Sequence, residues 1–568
     1  MNKNRAGFTA LICILLAASF LRLVFISRGD TINDEVLYAF RAIDMLDFDE
    51  AAEQTTPLEW FDPLKTGGES DIPWWTALSF HDHPPLVFLI QHFFMRIFGE
   101  SRLGFRLPSA LFGIASVWLL YLIGKELYSK DAGLIAAGLL AITVNHVYIS
   151  RIGLQESYVI FFILLASYLF LRTQKNDTYY LWTGAALGLG FITKYNTFIL
   201  APIFLTYLVL FNRKAFRNKK FWLGALFALV IFTPVIVYNI ELYRAVGHFD
   251  FQFSFIFGQH PKVWSVTPGK EIGSINDRLS AFLPNLAAVS SPLFLTLVLT
   301  GFIWLLITLV KYKKNVFRQY DFLLLAIFFH IGLLLQIGTA YRFVSMLTPW
   351  FAILAALPVV AMPRKKIFLA IFGIVLLSEI AYTINSQIAF YPAGPKLLAF
   401  AKGARLENYN WGFNKLDRFL TNEFAGRHPA AAFEQKYTFI ERIHENALRQ
   451  AIKKGFRERS AIFIYDGNID TAAQLWVLDR WQIYHAWPVI KTESYLDYLQ
   501  ENKFPDIKDT VFKEHYFIAL SDTLPKKVPS KQTQIGSLFE KELVKRGIAP
   551  TTILKNDRGD EVFRIYIF

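Results

Sequence analysis

The chain has 568 residues, of which 54% are hydrophobic, 16% aromatic and only 18% charged, a composition that excludes an ordinary soluble domain of this length. Its single cysteine, Cys13, excludes an intrachain disulfide and a thiolate-rich metal site. The net charge of +13 is read through its placement, because in an apolar chain excess Lys and Arg reports topology; nucleic acid is not expected as a partner.

In chain order, residues 7–27 follow Lys3 and Arg5 as a signal peptide would. The run is long enough to span roughly 30 Å of hydrocarbon and no small-x-small site closes it, so it reads as a retained first helix. A first outer loop, 28–104, follows. Between Asp30 and Asp82 it holds thirteen Asp or Glu against Arg41 and Lys65. Within this loop Pro84 to Phe98 is apolar, yet Leu86, Ile90, Phe93, Phe94 and Ile97 share one helical face and Gln91, His92 and Arg96 another. That pattern predicts an interfacial helix over 84–98 and no crossing.

Ten further apolar runs lie near 105–124, 131–149, 155–171, 178–193, 196–211, 221–240, 289–310, 321–338, 343–361 and 367–384, which makes eleven helices with the first. If the N-terminus is cytoplasmic, Lys125, Lys130, Arg172, Lys175 and the clusters 213–220, 311–318 and 364–366 all fall inside, as the positive-inside rule requires. The sequence therefore predicts a polytopic α-helical domain over 1–385 in the inner (plasma) membrane. Residues 386–568 are then extracytoplasmic and read as a small α/β domain, with strands at 461–465, 515–520 and 562–568 and helices near 470–481 and 538–546.

The chemistry-bearing residues lie in the outer loops. Asp34-Glu35 stands directly after the first helix, where a carboxylate meets both headgroups and water; such a pair suits a general base, and equally the start of a solvated loop or helix. The loop closes on His81-Asp82-His83-Pro84-Pro85, in which the prolines forbid helix before them and start one after. Three basic residues occupy short outer turns that should be depleted of them: Arg151, Lys194 and Arg342. Each suits an anion such as a phosphate, or headgroup snorkelling. Asp82 with His81, and His248 or His260 from the loop between the seventh and eighth helices, could form a divalent metal site, although nothing in the sequence requires a cofactor. Gly184, Gly188 and Gly190 lie inside an apolar helix, where they indicate tight packing and no nucleotide loop.

The ordered set Asp34-Glu35, His83-Pro84-Pro85-Leu86, Gly99-Glu100 with Arg106-Leu107-Pro108-Ser109-Ala110, Ser150-Arg151 with Glu156, Thr193-Lys194, and Tyr341-Arg342 resembles the GT-C glycosyltransferases. Within them it is similar to the branch of the protein O-mannosyltransferases and lipid A aminoarabinose transferases, over roughly residues 1–385. The resemblance implies a polyprenyl-phosphate sugar donor and an extracytoplasmic acceptor: a glycolipid such as lipid A, a protein or an envelope polysaccharide. It implies transfer in one inverting displacement, with Asp34 as general base and Glu35 supporting it. Arg151, Lys194, Arg342 and His83 would hold the donor phosphate, and Glu156, Asp82 and Tyr341 would shape the substrate pocket. His83 follows the mannosyltransferases, since the aminoarabinose transferases carry lysine there. The competing reading is a lipid or glycan transporter or flippase, which should place charges near the bilayer midplane and show two related halves; here the charges cluster at one face and no halves are visible.

Overall fold

The computed structural model describes residues 3–32, 34–49, 54–68, 71–265, 273–312, 314–362, 366–389, 393, 403, 405–406, 410–501, 512–524, 526 and 531–568. These residues form two compact units, one of Met1–Ser27 with Trp74–Glu407 and one of Arg28–Pro73 with Asn408–Phe568. The division differs from a cut at residue 385, because most of the first outer loop belongs with the C-terminal residues. The expected basic clusters include Lys313, Arg364 and Lys365, which lie outside the described residues.

In chain order the helices are α1 (Lys3–Leu23), α2 (Glu35–Ala42), α3 (Pro57–Trp60), α4 (Pro63–Thr66), α5 (Leu86–Phe98), α6 (Arg102–Leu127), α7 (Lys130–Ile142), α8 (Val144–Arg151) and α9 (Glu156–Arg172). They continue with α10 (Tyr179–Phe191), α11 (Leu200–Phe211), α12 (Lys219–Val246), α13 (Phe251–Ile256), α14 (Ile275–Ala288), α15 (Pro292–Tyr312), α16 (Lys314–Ile337), α17 (Thr348–Ala361) and α18 (Lys366–Gln387). Among the described residues seven helices are long and apolar enough to cross a membrane, or eight if α7 and α8, bent by 59° at their break, are one span. All eleven expected runs are helical, but those at 155–171, 178–193 and 196–211 correspond to the shorter α9, α10 and α11.

The first unit is helical because its apolar runs satisfy their backbone internally and are capped at their ends. Ser101 accepts from the Gly104 amide to start α6, and Ser129 from the Ala132 amide to start α7. The helix α5 has 13 residues, the same length as α10, and is set apart by its two faces. Its Leu89, Phe93 and Ile97 are exposed while Gln91 is buried, with Nε2 donating to the Gly153 carbonyl at 2.8 Å. Gly184 of α10 faces the backbone of Gly224 in α12, and Gly188 faces that of Ala228, so the glycines serve helix packing.

The second unit is built on a five-stranded sheet of order β4-β3-β5-β7-β6, with a separate parallel pair of β1 (Arg427–Pro429) and β2 (Arg457–Arg459). β3 (Ala461–Tyr465) runs parallel to β4 (Val489–Lys491) and β5 (Glu514–Leu520); β7 (Glu561–Ile567) is antiparallel to β5 and to β6 (Thr552–Lys555). Ile462, Ile464, Phe517, Ala519 and Tyr566 form its apolar core. The loop residues join it through buried carboxylates. Asp30 accepts from the amides of Trp411 at 2.7 Å and Asn414 at 2.8 Å, and Asp62 accepts from the Thr438 amide and hydroxyl, each at 2.8 Å. A buried carboxylate is tolerated where amide donors replace its water, so each of these aspartates clamps loop to domain.

Candidate functional site

Lys194, Glu156 and Arg342 come from three elements that meet. Glu156 opens α9, where the helix N-terminus favours a carboxylate. Lys194 stands in an extended residue just after α10, whose turn is closed by the Thr193 and Lys194 amides donating to the Gly190 carbonyl. Arg342 precedes the short helical turn Phe343–Leu347 that leads into α17. Lys194 Nζ donates to Glu156 Oε1 at 2.8 Å, and Arg342 Nε lies 3.9 Å from the same oxygen. Both cations also sit over the Phe343 ring, at 5.4 and 5.0 Å from its centroid. Glu156 is fully buried, and Lys194 nearly so. One carboxylate against two cations leaves a net charge of +1, which suits an incoming anion.

Arg151 ends α8 and is buried; its guanidinium donates to the Leu21 carbonyl at 2.8 Å and the Phe25 carbonyl at 3.3 Å, at the end of α1. The structure thus joins Lys194, Arg342 and Glu156 to one another, and ties Arg151 to a helix end. Tyr341, beside Arg342, is 43% exposed.

The His81-Asp82-His83 turn is buried on its first two residues. His83 Nδ1 lies 3.0 Å and His81 Nδ1 4.0 Å from Asp82 Oδ1. Pro85 caps α5, and the Leu86 amide donates to the Ile192 carbonyl at 3.0 Å, which ties this turn to the one that carries Lys194. The His81 Nδ1 and Asp82 Oδ1 separation is one that a single divalent cation can bridge with bonds of about 2.0–2.6 Å. His260 does not join them: it is exposed, and its ring meets Phe255 edge-on at 6.1 Å. His248 is buried against Trp264, the ring that His81 also approaches; burial holds its imidazole below the usual range.

Asp250 ties these parts together and was not among the residues singled out by sequence. Its Oδ2 accepts from the Tyr195 hydroxyl at 2.6 Å and from Asn239 Nδ2 at 3.1 Å, and its Oδ1 accepts from the Phe253 amide at 2.8 Å. The neighbouring Phe251 amide donates to the His81 carbonyl at 2.8 Å. Burial pushes the Asp250 carboxyl up to about 6 against these three donors, with a further push from the charge of Asp82. A polar Asn239 within the long α12 was the available signal.

Asp34 and Glu35 belong to the second unit. Asp34 occupies the N-cap position of α2 without capping it and is half-buried, with the Tyr38 hydroxyl 3.5 Å from Oδ2. Glu35 is fully buried and its Oε1 accepts from the Ile32 amide at 2.9 Å. The adjacent acids are therefore distinct: Glu35 folds the approach to α2, and Asp34 is the more accessible carboxylate. α2 itself is anchored by the Tyr484 hydroxyl on the Phe40 carbonyl and by Arg41, whose guanidinium is 3.0 Å from Asp49 and 3.9 Å from Asp47.

Residues 82–238 match the family described as dolichyl-phosphate-mannose-protein mannosyltransferase. The Bacillus subtilis protein YycA is 32% identical over 222 residues, which are 38% of this chain and 30% of that one. A polyprenol-phosphate-mannose–protein mannosyltransferase of Corynebacterium glutamicum is 26% identical over 150 residues, 26% of each chain. The chain thus spans about a third or less of the length of these curated relatives. The crystal structure of ArnT from Cupriavidus metallidurans, bound to undecaprenyl phosphate, aligns over 98% of this chain and 97% of that one, with a TM-score of 0.51 and 12% identity. The apolar helices make the chain a multi-pass membrane protein, and the end-to-end likeness shows that its fold is similar to that of ArnT.

Proposed function

We propose that this protein transfers a sugar from a polyprenyl-phosphate donor to an acceptor on the extracytoplasmic side of the membrane, by a single inverting displacement. The observation that carries the reading is the cluster of buried Lys194 and half-buried Arg342 around buried Glu156, two cations to one carboxylate, which matches a departing lipid phosphate. Breaking the sugar–phosphate bond places negative charge on the phosphate and positive charge at the anomeric carbon. Lys194, Arg342 and Arg151 stabilise the first, and His83 assists them. Asp34 takes the proton of the acceptor hydroxyl, and Glu35 orients it by fixing the backbone at Ile32. Glu156, Asp82 and Tyr341 shape the pocket. His81 and Asp82 would hold a divalent cation, which would supply further positive charge there, and the displacement uses the protein's own groups throughout. A relative named for a polyprenol-phosphate-mannose donor and a fold similar to that of ArnT bound to undecaprenyl phosphate support transfer over transport.

The reading includes eleven crossings in the plasma membrane with a cytoplasmic N-terminus, which put the first loop and residues 386–568 outside. The acceptor is a glycolipid, a protein or an envelope polysaccharide. Mass spectrometry of envelope lipids, proteins and glycans from cells with and without the chain tests the function. A hexose or pentose missing from one class is expected, and identical envelopes would refute it.

A further inference from the structure

Lys194 carries its ammonium on a long flexible stem, so where that charge sits depends on how firmly the backbone beneath it is held. The hold begins within the turn, where the Lys194 carbonyl accepts from the Thr197 hydroxyl at 2.8 Å and the Thr197 amide at 3.0 Å. It is completed from outside by the next residue. While the Lys194 side chain goes to Glu156, the Tyr195 hydroxyl donates to Asp250 Oδ2 at 2.6 Å. Asp250 is in turn locked to α12 by a reciprocal pair: Asn239 Nδ2 donates to the same Oδ2 at 3.1 Å, and the Asp250 amide donates to Asn239 Oδ1 at 2.9 Å. Asn239 Nδ2 also donates to the Val235 carbonyl at 3.0 Å, one turn back, which sets the orientation of its amide. Asp250 is fully buried and Asn239 nearly so, and α12 is a single helix of 28 residues.

The other oxygen of Asp250 accepts from the Phe253 amide at 2.8 Å and so starts α13. One residue on from Asp250, the Phe251 amide donates to the His81 carbonyl at 2.8 Å. The turn that begins at His81 comes back to the Lys194 turn through the Leu86 amide, which donates to the Ile192 carbonyl at 3.0 Å. These bonds close a ring of three segments, 81–86, 192–195 and 250–253, with α12 as its backing. A buried carboxylate is costly unless donors replace its water, and the three side-chain donors and amides that do so here are neutral, which fits a carboxylate serving as a junction. The Tyr195 ring packs on Phe253, at 4.7 Å between centroids, and near Phe198 and Phe232. Loss of the hydroxyl alone would therefore leave the ring in its pocket and release the turn from Asp250.

We propose that Asp250 is a positioning residue for Lys194, acting through the Tyr195 hydroxyl to fix the turn from which the ammonium reaches the donor phosphate. The proposal rests on the reading of Lys194 as a donor-phosphate group. It is tested with the purified full chain, by following transfer of mannose or 4-amino-4-deoxyarabinose from its undecaprenyl phosphate to a total envelope extract, beside unfolding midpoints in detergent. The variants are Tyr195→Phe, Asp250→Asn, Lys194→Ala/Glu156→Gln, and Tyr195→Phe added to that double variant. Tyr195→Phe, the change least disturbing to folding, leaves the midpoint near that of wild type and lowers kcat/KM for the donor about tenfold, since a misplacement of about 1 Å can cost up to about 100-fold. The loss is carried by kcat, with the donor KM within about threefold of wild type, because negative charge on the phosphate grows as its bond to the sugar breaks. Asp250→Asn, which turns an amide group toward the Tyr195 and Asn239 donors, shows the same split with a loss of about tenfold or more. With Lys194 and Glu156 replaced, Tyr195→Phe lowers transfer no more than about twofold further, because no ammonium is left to place. Losses that multiply in that background, or a wild-type kcat in Tyr195→Phe or Asp250→Asn beside an impaired Lys194→Ala/Glu156→Gln, overturn the positioning role. Wild-type transfer in Lys194→Ala/Glu156→Gln would remove the phosphate reading of Lys194 itself, and the proposal with it.

Discussion

Removing Lys194 separates a phosphate-binding cation from a mere counter-ion of Glu156. The pair is buried, with 2.8 Å between Nζ and Oε1, and the second cation, Arg342, is farther away at 3.9 Å. Taking one member from a buried pair typically costs about 3–5 kcal/mol, because the other charge is left without compensation. Arg342 offsets part of that here, so Lys194→Ala should lose about 3 kcal/mol of stability, visible as a lower unfolding midpoint in detergent. Loss of the same order in transition-state stabilisation would cut transfer about 100-fold. The decisive variant is Lys194→Ala/Glu156→Gln, which removes the lysine together with the carboxylate it pairs with and leaves Arg342 as the charge of the cluster. Its stability should return to within about 1 kcal/mol of wild type while transfer stays about 100-fold down. Should transfer in the double variant return to within a few-fold of wild type, Lys194 serves Glu156 alone and the phosphate assignment is wrong.

Four further outcomes are expected. Asp34→Asn should abolish transfer with its unfolding midpoint unchanged, whereas Glu35→Gln should lower the midpoint as well, since Glu35 is the buried one; wild-type transfer in Asp34→Asn removes it from the mechanism. Asp250 has a raised carboxyl, about 6 in the fold against an ordinary value of 3.8, so its contribution to stability is full below about 4 and is lost as pH rises through 6. Thermal melts from pH 4 to 7 should accordingly show wild type losing up to about 3 kcal/mol relative to Asp250→Asn across that window, and parallel curves would contradict the assignment. Gly184→Leu should destabilise by about 1–3 kcal/mol or more, because its side chain must displace the Gly224 backbone; an unchanged midpoint would show that α10 and α12 do not cross there. A reporter fused after residue 389 should be extracytoplasmic, and a cytoplasmic signal would contradict the eleven-crossing topology.

Much of the architecture was legible because bilayer-length apolar runs and period-two runs are local signals. The strand expected at 461–465 is β3 with the same limits, and the run at 131–149 is helical throughout except for the break at Thr143. That break was not legible, since Thr143 carries no breaking residue beside it and the carbonyls before it are met by Arg22 and Thr383 from distant positions in the chain. Of the site, Lys194 and Arg342 stood out as charges out of place and Glu156 through the resemblance, and the three meet. Asp250 escaped because a single aspartate in a loop has no distinguishing spacing; its partners Tyr195 and Asn239 are 55 and 11 residues away. His260, placed with Asp82 on residue type alone, is exposed beside Phe255, which shows how little residue type says about convergence. The attachment of the first loop to the C-terminal residues was hidden for the same reason, because Asp30 and Asp62 look like any other acids in an acidic loop.

Release of the lipid carrier is the most direct test, because it does not depend on knowing the acceptor. Purified full-length protein is given undecaprenyl-phosphate mannose or undecaprenyl-phosphate 4-amino-4-deoxyarabinose, with and without an envelope extract from cells lacking the chain, and free undecaprenyl phosphate is measured. Acceptor-dependent release from one of the two, absent in Asp34→Asn and about 100-fold slower in Lys194→Ala/Glu156→Gln, is the expected result. Stable protein that releases no carrier phosphate from either donor, or releases it equally well in both variants, would contradict sugar transfer by these residues.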